Sequence, residues 1–404
     1  MKKLLFVINT MGRAGAETAL IELLRRLEIT GRYEISLYAI LPYGELFARV
    51  PKGVKILNRR FSCRSVLSFS GRAAIAGNVV KSFFYRFTGF KMLGDMRKNM
   101  KLQKKSGRMQ YDKLLWRLLA KGRKPLGGEY DLAVAYLEGA ATYFVADMVQ
   151  AKAKASFIHI DYKRAGYLPE MDAGCYERID RIFTVSNEVA NQFLSVYPQY
   201  RDKVFLFRNL LNREGILEKA EKVEGFTDGF EGKRLVTVGR LHYQKAYDIA
   251  IQALRIIKDN GVNARWYILG DGPERAALEK QIDDSGLRGS FVLMGAVDNP
   301  YQYVKAADVY VHATRFEGKS IAIEEAQILG KAIVASNCTG NTEQIVDGVD
   351  GILLELSPEN LAREIMRVLG DDGLRKTLEE NTLKKNLDHP EDMKRLLELM
   401  NEEG

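Results

Sequence analysis

Glu317-Gly318-Lys319-Ser320-Ile321-Ala322-Ile323-Glu324-Glu325 is the stretch on which the reading of this chain turns. It places Glu317 in a loop and Glu325 on the helix that starts there, with seven residues between them. An apolar segment, a glycine and a short strand follow. Gly318 and Ser320 suit a tight helix entry, and the first backbone N–H groups of a helix have no partner inside it, so they hold an anion well. A carboxylate beside such a site accepts sugar hydroxyls. Upstream, Val236-Thr237-Val238-Gly239-Arg240-Leu241 reads as a strand ending in a sharp turn, with Lys245 five residues after the arginine. If Gly239 turns the chain there, Arg240 and Lys245 both face a diphosphate. Fixed cations aimed at charge developing on a leaving group are often worth ~3–4 kcal/mol each. Together the two stretches describe a nucleotide-sugar site, although on residue types alone the two cations also fit surface charges after a strand.

Outward from this stretch, strand-like and helix-like runs alternate. Strands are expected at 3–9, 35–40, 132–137, 155–160, 181–185 and 204–207, with an amphipathic helix at 17–27. After them come strands at 235–238, 265–269, 290–294, 309–312 and 333–335, with helices at 248–260, 274–285 and 321–329. Such alternation argues for parallel sheets with helices on their faces. A chain of 404 residues is also too long for one ordinary core. The reading is therefore an α/β protein of two Rossmann-like domains: residues 1–210, a charged, glycine-containing linker at 211–232, and residues 233–375, followed by a polar helical tail at 376–404. Ligands of such sheets bind beyond the carboxyl ends of the strands.

Composition narrows the class. Hydrophobic residues make up 46% and charged residues 28%, ordinary for a globular protein. Cys63, Cys175 and Cys338 are few, scattered and odd in number, which reads as reduced thiols in a cytoplasmic protein. Leu4 to Ile8 after Met1-Lys2-Lys3 is shorter than the ~7–15 apolar residues of a leader and reads as a first strand. No apolar run approaches the ~18 residues of a membrane span.

The net charge of +9 is concentrated between Lys81 and Lys124, where fourteen Lys or Arg meet only Asp95 and Asp112; the rest of the chain is slightly acidic. Phe83, Phe84, Phe87, Phe90 and Leu93 recur there at near-helical spacing, and Leu114, Leu115, Leu118 and Leu119 follow. This basic insertion, 81–124, suits an amphipathic helix pair on an anionic membrane surface, where each basic side chain is worth ~1 kcal/mol. The plainer alternative is a solvated basic face over helix core. No nucleic-acid motif accompanies the charge, so a nucleic-acid partner is not expected.

Motif by motif, the second half resembles the retaining GT-B glycosyltransferases of family 4. Gly239-Arg240-Leu241 through Lys245 and Asp248 is similar to the family's G-R-L-x-x-x-K-G-x-D element, with Ala246 where glycine is usual. Gly270-Asp271-Gly272-Pro273 matches its G-x-G-P turn, and Glu317 with Glu325 its E-x7-E motif. Lys319-Ser320 replaces the common Phe-Gly. The resemblance implies two sheets facing a central cleft and leaves room for the tail to cross back to the first domain. It implies Arg240 and Lys245 on the donor phosphates, Glu325 on the ribose and Glu317 on the donor sugar. Gly15, Gly239, Gly272, Gly318, Lys319, Ser320 and Ile321 would complete the donor side.

In the first half, Thr10-Met11-Gly12-Arg13-Ala14-Gly15-Ala16-Glu17 joins the first strand to the first helix, and its glycines permit close approach of a ligand. It is not a dinucleotide fingerprint, and a simple turn is its bland reading. Glu138-Gly139 follows another strand and His159-Ile160-Asp161 a third. The resemblance implies that His159 touches the donor sugar or reacting centre, with Glu17, Glu138 and Asp161 on the acceptor side. It likewise implies a resemblance to bacterial enzymes of surface-polysaccharide synthesis.

The expected function is a retaining, metal-independent hexosyl- or N-acetylhexosaminyl-type glycosyltransferase on the inner face of the cell membrane. It would move sugar from a UDP-sugar to a glycan or lipid-linked acceptor, with no cofactor; Asp-x-Asp, typical of metal-dependent enzymes of the other main fold, is absent from the sequence. A paired acid and nucleophile, as in glycoside hydrolases, is disfavoured because the resemblance commits one of the two glutamates to the nucleotide. A non-catalytic nucleotide-sugar-binding scaffold and a nucleotide-sugar epimerase remain as alternatives.

Overall fold

The computed structural model describes residues 1–65, 68–105, 111–162, 169–172, 174–222 and 225–400. The chain divides into two compact units, Met1–Leu210 with His389–Gly404, and Leu211–Asp388.

The first unit is built in chain order from β1 (Lys2–Ile8), α1 (Gly15–Ile29), β2 (Tyr33–Ala39) and β3 (Lys55–Ile56), then three helices, α2 (Phe69–Phe84), α3 (Thr88–Lys105) and α4 (Tyr111–Lys121). β4 (Tyr130–Ala135), α5 (Ala140–Met148), β5 (Ala151–Ile158), α6 (Pro169–Asp172), β6 (Arg181–Thr184), α7 (Asn187–Val196) and β7 (Val204–Leu206) complete its main part. The sheet is parallel, in the order β3-β2-β1-β4-β5-β6-β7. Leu4 to Ile8 of β1 are all fully buried, as expected for a central parallel strand covered on both faces.

The second unit begins with α8 (Arg213–Glu221) and β8 (Lys233–Val238), followed by α9 (Tyr247–Asp259), β9 (Ala264–Leu269), α10 (Arg275–Asp284), β10 (Phe291–Gly295), α11 (Tyr301–Ala306) and β11 (Val309–His312). α12 (Ile321–Ile328), β12 (Ile333–Ser336), α13 (Thr339–Thr342), β13 (Ile352–Leu354), α14 (Pro358–Gly370) and α15 (Asp372–Leu383) follow. Its parallel sheet has the order β10-β9-β8-β11-β12-β13. In both units the order reverses beside the first long strand, so the loops after β1 and β4, and those after β8 and β11, flank a topological switch point. The two-Rossmann-unit α/β reading is therefore what the chain adopts.

Three segments differ from their sequence reading. Residues 211–232 are no bare linker. Asn212 caps α8 by accepting from the Gly215 amide at 2.9 Å, and Phe226 lies on Tyr267 with ring centroids 4.3 Å apart. Asp228 pairs with Arg265 at 2.6 Å, so charge that looked solvated is spent on the second unit. The tail changes unit at His389, not at 376, because Leu378 of α15 is fully buried in the second unit's core. The basic insertion is three helices and starts earlier than 81: the Ser68 hydroxyl caps α2 by accepting from the Gly71 amide at 3.1 Å. Residues 106–110 of that insertion lie outside the described residues.

The chain returns to the first unit as α16 (Pro390–Glu398), where buried Asp392 accepts from the Arg208 amide at 2.8 Å and from its guanidinium at 3.1 Å. Removing one partner of a buried pair leaves the other uncompensated. Asp392→Ala should therefore destabilise the first unit by about 3 kcal/mol, read as a lower urea midpoint; an unchanged midpoint would mean that α16 contributes nothing to that unit's stability.

Candidate functional site

β8 ends at a crest where two loops touch backbone to backbone. The Gly239 amide donates to the Leu269 carbonyl at 3.1 Å and the Leu241 amide to that of Asp271 at 3.1 Å. A methyl group at Gly270 would stand 2.0 Å from the Gly239 oxygen, and one at Gly272 would stand 2.3 Å from the Leu241 oxygen. These glycines are required by space, and they set the height at which Arg240 leaves the sheet. Arg240 is exposed, and its charge, after burial, helps push the His242 imidazole down.

Lys245 and Glu317 meet across the switch point. Their side chains are only 15% and 13% exposed, and the Lys245 ammonium donates to Glu317 Oε2 in a close contact. Gln244 Nε2 donates to Glu317 Oε1 at 3.3 Å, and His312 Nε2 lies 3.4 Å from Oε2. Burial by itself would raise the Glu317 pKa, but Lys245 and His312 bring it down to about 2. For His312, burial first and the Lys245 charge second push the imidazole down to about 4, so it is neutral at pH 7.

The frame around this pair is hydrogen-bonded throughout. Arg315 grips Asp248 with two bonds of 2.9 and 2.6 Å and stacks over the Tyr243 ring at 4.0 Å. Thr314 Oγ1 donates to the Gln244 carbonyl at 2.9 Å, and Gln244 Nε2 donates to that of Phe316 at 2.9 Å. Ala246, at the position where the resembled family has glycine, takes φ 48° and is fully buried. It adopts the left-handed turn that the position requires, at the cost a Cβ brings there.

At the entrance to α12, Gln344 brackets Ser320, accepting from its amide at 2.8 Å and donating to its carbonyl at 2.9 Å. Ser320 is extended and its own side chain caps nothing. Gly340 of α13 lies against the 317–318 backbone, where a methyl group would stand 2.5 Å from the Glu317 oxygen. Lys319 is turned to Glu324, 2.6 Å away, with both side chains under a tenth exposed. Glu325, half-buried, accepts from the Tyr301 hydroxyl at 2.9 Å, and burial raises its carboxyl to about 7.

In the first unit, Asn9 at the end of β1 accepts from the Ala141 amide at 2.8 Å and donates to the Glu138 carbonyl at 3.1 Å. Glu138 in turn accepts from the His159 amide at 3.0 Å. His159 Nε2 is buried without a hydrogen-bond partner among the described residues, and burial pushes this imidazole down to about 3. Gly15 opens α1, and the Thr10 hydroxyl lies 3.5 Å from the buried Glu17 carboxylate. Asp161 is buried just beyond β5.

Of the residues singled out from sequence, Lys245 with Glu317, and Glu138 with His159, are brought into contact; Lys319 is directed away from Glu317. His312, Gln244, Arg315 and Tyr301 were not singled out. His312 closes a strand five residues before Glu317, a signal of the same kind as that used for His159.

Residues 224–385 match the family model for glycosyl transferases group 1. The match lies within the second unit. An uncharacterized glycosyltransferase of Methanocaldococcus jannaschii is 30% identical over 215 residues, 51% of this chain and 53% of that protein. A Campylobacter jejuni N-acetylgalactosaminyltransferase, named as acting on N-acetylgalactosamine-N,N'-diacetylbacillosaminyl-diphospho-undecaprenol, is 29% identical over 187 residues, 46% of this chain and 48% of its own. The chain spans about half the length of the curated relatives it matches. Anabaena HepE in complex with UDP superposes with a TM-score of 0.68 at 16% identity, covering 99% of this chain and 100% of that one. Staphylococcus aureus TarM gives 0.66 at 13%, with 99% and 100% covered. The fold is that of the GT-B glycosyltransferase structures.

Two outcomes test this geometry. Lys245→Met should cost about 3 kcal/mol by stranding Glu317, and Lys245→Met with Glu317→Gln should recover much of it; a double variant no more stable than the single would show that the pair is not coupled. Glu325, whose folded pKa lies above its ordinary value, contributes stability that is full at pH below about 4.5 and is lost as pH rises through about 7. Glu325→Gln should therefore raise Tm relative to the parent more at pH 8 than at pH 5.

Proposed function

We propose that this chain is a retaining glycosyltransferase that moves a sugar from a nucleoside diphosphate donor, a UDP-sugar, to a glycan or lipid-linked acceptor in cell-surface polysaccharide synthesis at the inner face of the membrane. The observation that carries the reading is the buried Lys245–Glu317 pair at the entrance to α12, inside the stretch that matches the glycosyl transferases group 1 model. The UDP named with HepE and the undecaprenyl diphosphate carrier named for the Campylobacter relative favour these donor and acceptor classes.

Arg240 and Lys245 face the diphosphate, joined by the Gly318 to Ile321 backbone at the start of α12. An ammonium has three donors, so Lys245 holds Glu317 and still reaches a phosphate oxygen. Glu317 stays ionised and accepts hydroxyls of the donor sugar, and Glu325 with Tyr301 accepts those of the ribose. Gly239 and Gly272 let the nucleotide approach the crest. As the C1–O bond to the diphosphate breaks, a C1–O bond to the acceptor forms on the same face, and the acceptor's proton passes to the departing phosphate. Arginine, lysine and helix amides take the electrostatic part that a metal plays elsewhere. In the first unit, His159 offers neutral Nε2 to the donor sugar or reacting centre and Gly15 approaches the donor, while Glu17, Glu138 and Asp161 line the acceptor side. Lys319, neutralised by Glu324, supports the helix entrance and adds no net charge to it.

Calorimetry with UDP, GDP and ADP tests the donor site. UDP should bind selectively, and Arg240→Ala should weaken it by about tenfold to a hundredfold through loss of a charged hydrogen bond. Glu325→Ala should weaken UDP more than it weakens inorganic diphosphate. Binding of no nucleotide would sink the reading. Turnover with a lipid-linked acceptor should persist in chelator; loss restored by magnesium or manganese would overturn metal independence. A changed sugar on the nucleotide with no acceptor present would favour an epimerase, and no UDP release with acceptor present a scaffold.

A further inference from the structure

The turn between α2 and α3 carries a feature that the fold does not use. α2 ends at Phe84, the chain crosses Tyr85-Arg86-Phe87, and α3 starts at Thr88. Arg86 and Phe87 take φ of 46° and 60°, a region in which bulky residues are rare and strained. The result is a tip on which Phe84, Phe87 and Phe90 are 62%, 68% and 51% exposed. Their rings are gathered, not scattered: Phe83 lies 5.4 Å from Phe84 and 5.0 Å from Phe90, and Phe87 lies 6.2 Å from Phe90. Gly89 makes that gathering feasible, since a methyl group there would stand 2.1 Å from the Phe83 ring.

α2 and its neighbour α4 are firmly held. Met92, Leu118 and Leu119 are buried, and Ile75, Val79, Leu115 and Trp116 pack on the first unit's core. Arg117 of α4 donates to the Asp172 carbonyl at 2.6 Å and lies 3.7 Å from Asp147. The helices therefore present the aromatic tip from an anchored base. Beside it Lys81 and Arg86 are exposed, as are Lys98, Lys101 and Lys104 farther along α3, and the segment's only acids are Asp95 and Asp112.

A gathered apolar tip flanked by Lys81 and Arg86, on a helix whose length carries further cations, fits a surface that is apolar a few ångströms down and anionic at its rim. Single-stranded nucleic acid matches the charge but needs open ring faces on which to stack. Here the rings meet one another at interplanar angles of 76°, 60° and 64°. We propose that the α2–α3 tip is a membrane-docking wedge, in which Phe84, Phe87 and Phe90 enter an anionic lipid leaflet and the flanking cations hold its headgroups. This deepens the membrane-face reading above but requires neither donor nor acceptor to be tested.

The experiment is co-sedimentation of the full chain with vesicles of phosphatidylcholine alone, or mixed with phosphatidylglycerol. Binding is expected to the anionic vesicles and to weaken with salt. The combined Phe84→Ser, Phe87→Ser and Phe90→Ser variant should bind at least about tenfold more weakly, with unchanged Tm, because these side chains are exposed. Lys98→Glu with Lys101→Glu and Lys104→Glu should lose a similar factor while leaving UDP binding unaltered. Parent protein that ignores anionic vesicles, aromatic variants that bind like the parent, or tighter binding to single-stranded RNA than to vesicles would each overturn the proposal. UDP binding measured in parallel keeps this failure distinct from failure of the transferase reading.

Discussion

The ion pair between Lys245 and Glu317 is the interaction around which the second unit's candidate site is organised. Two charges this far from water are tolerated because each compensates the other. Their partners then have little freedom. Gln244 must hold the second carboxylate oxygen, His312 stays neutral beside an ammonium, and Arg315 locks the flanking loops through Asp248 and the Tyr243 ring. The pair thus sets the position of the Glu317 loop, and with it the entrance to α12.

What brings the two residues together is sheet order. They are 72 positions apart in sequence, yet β8 and β11 are adjacent strands, so the loops leaving their carboxyl ends share one rim. Glycine supplies the remaining closeness. At Gly270 and Gly272 the neighbouring loop passes within a distance that no Cβ permits, and at Gly340 the Glu317 carbonyl does the same. Backbone contact of this kind leaves few ways to displace the crest without unfolding it.

The first unit reaches a comparable result with other chemistry. Asn9 ties the loop after β1 to the start of α5, and Glu138 fixes the backbone of His159, so three strand ends are joined by short hydrogen bonds. Nearby, buried Asp172 accepts from the hydroxyls of Tyr143, Tyr162 and Tyr197, and burial lifts its carboxyl to about 6. Its carbonyl also receives Arg117, which connects this aromatic core to the basic helices. A protein that secures the base of those helices so thoroughly leaves their phenylalanine tip unexplained by folding alone.

Much of this was legible in the sequence, and the missing parts have physical causes. Buried parallel strands are continuous apolar runs, so β1, β8, β9 and β11 announce themselves within a residue or two. The edge strand β3, two residues long, is too short for a pattern. Glycines, Arg240, Lys245, Glu317 and Glu325 stand out because their spacing is local. Their partners do not: His312, Arg315 and Tyr301 become meaningful only once distant loops share a rim, and Lys319 reads as a free cation until Glu324 is seen beside it. The same holds for 211–232, whose charges look solvated until Asp228 meets Arg265. Sequence by itself determined the two α/β units and the residue types at their strand ends, because periodicity and turn chemistry act over a few residues. Tertiary structure alone decided which charges are paired, which imidazoles are neutral and which aromatic side chains remain outside, because burial and long-range contact are properties of the folded chain.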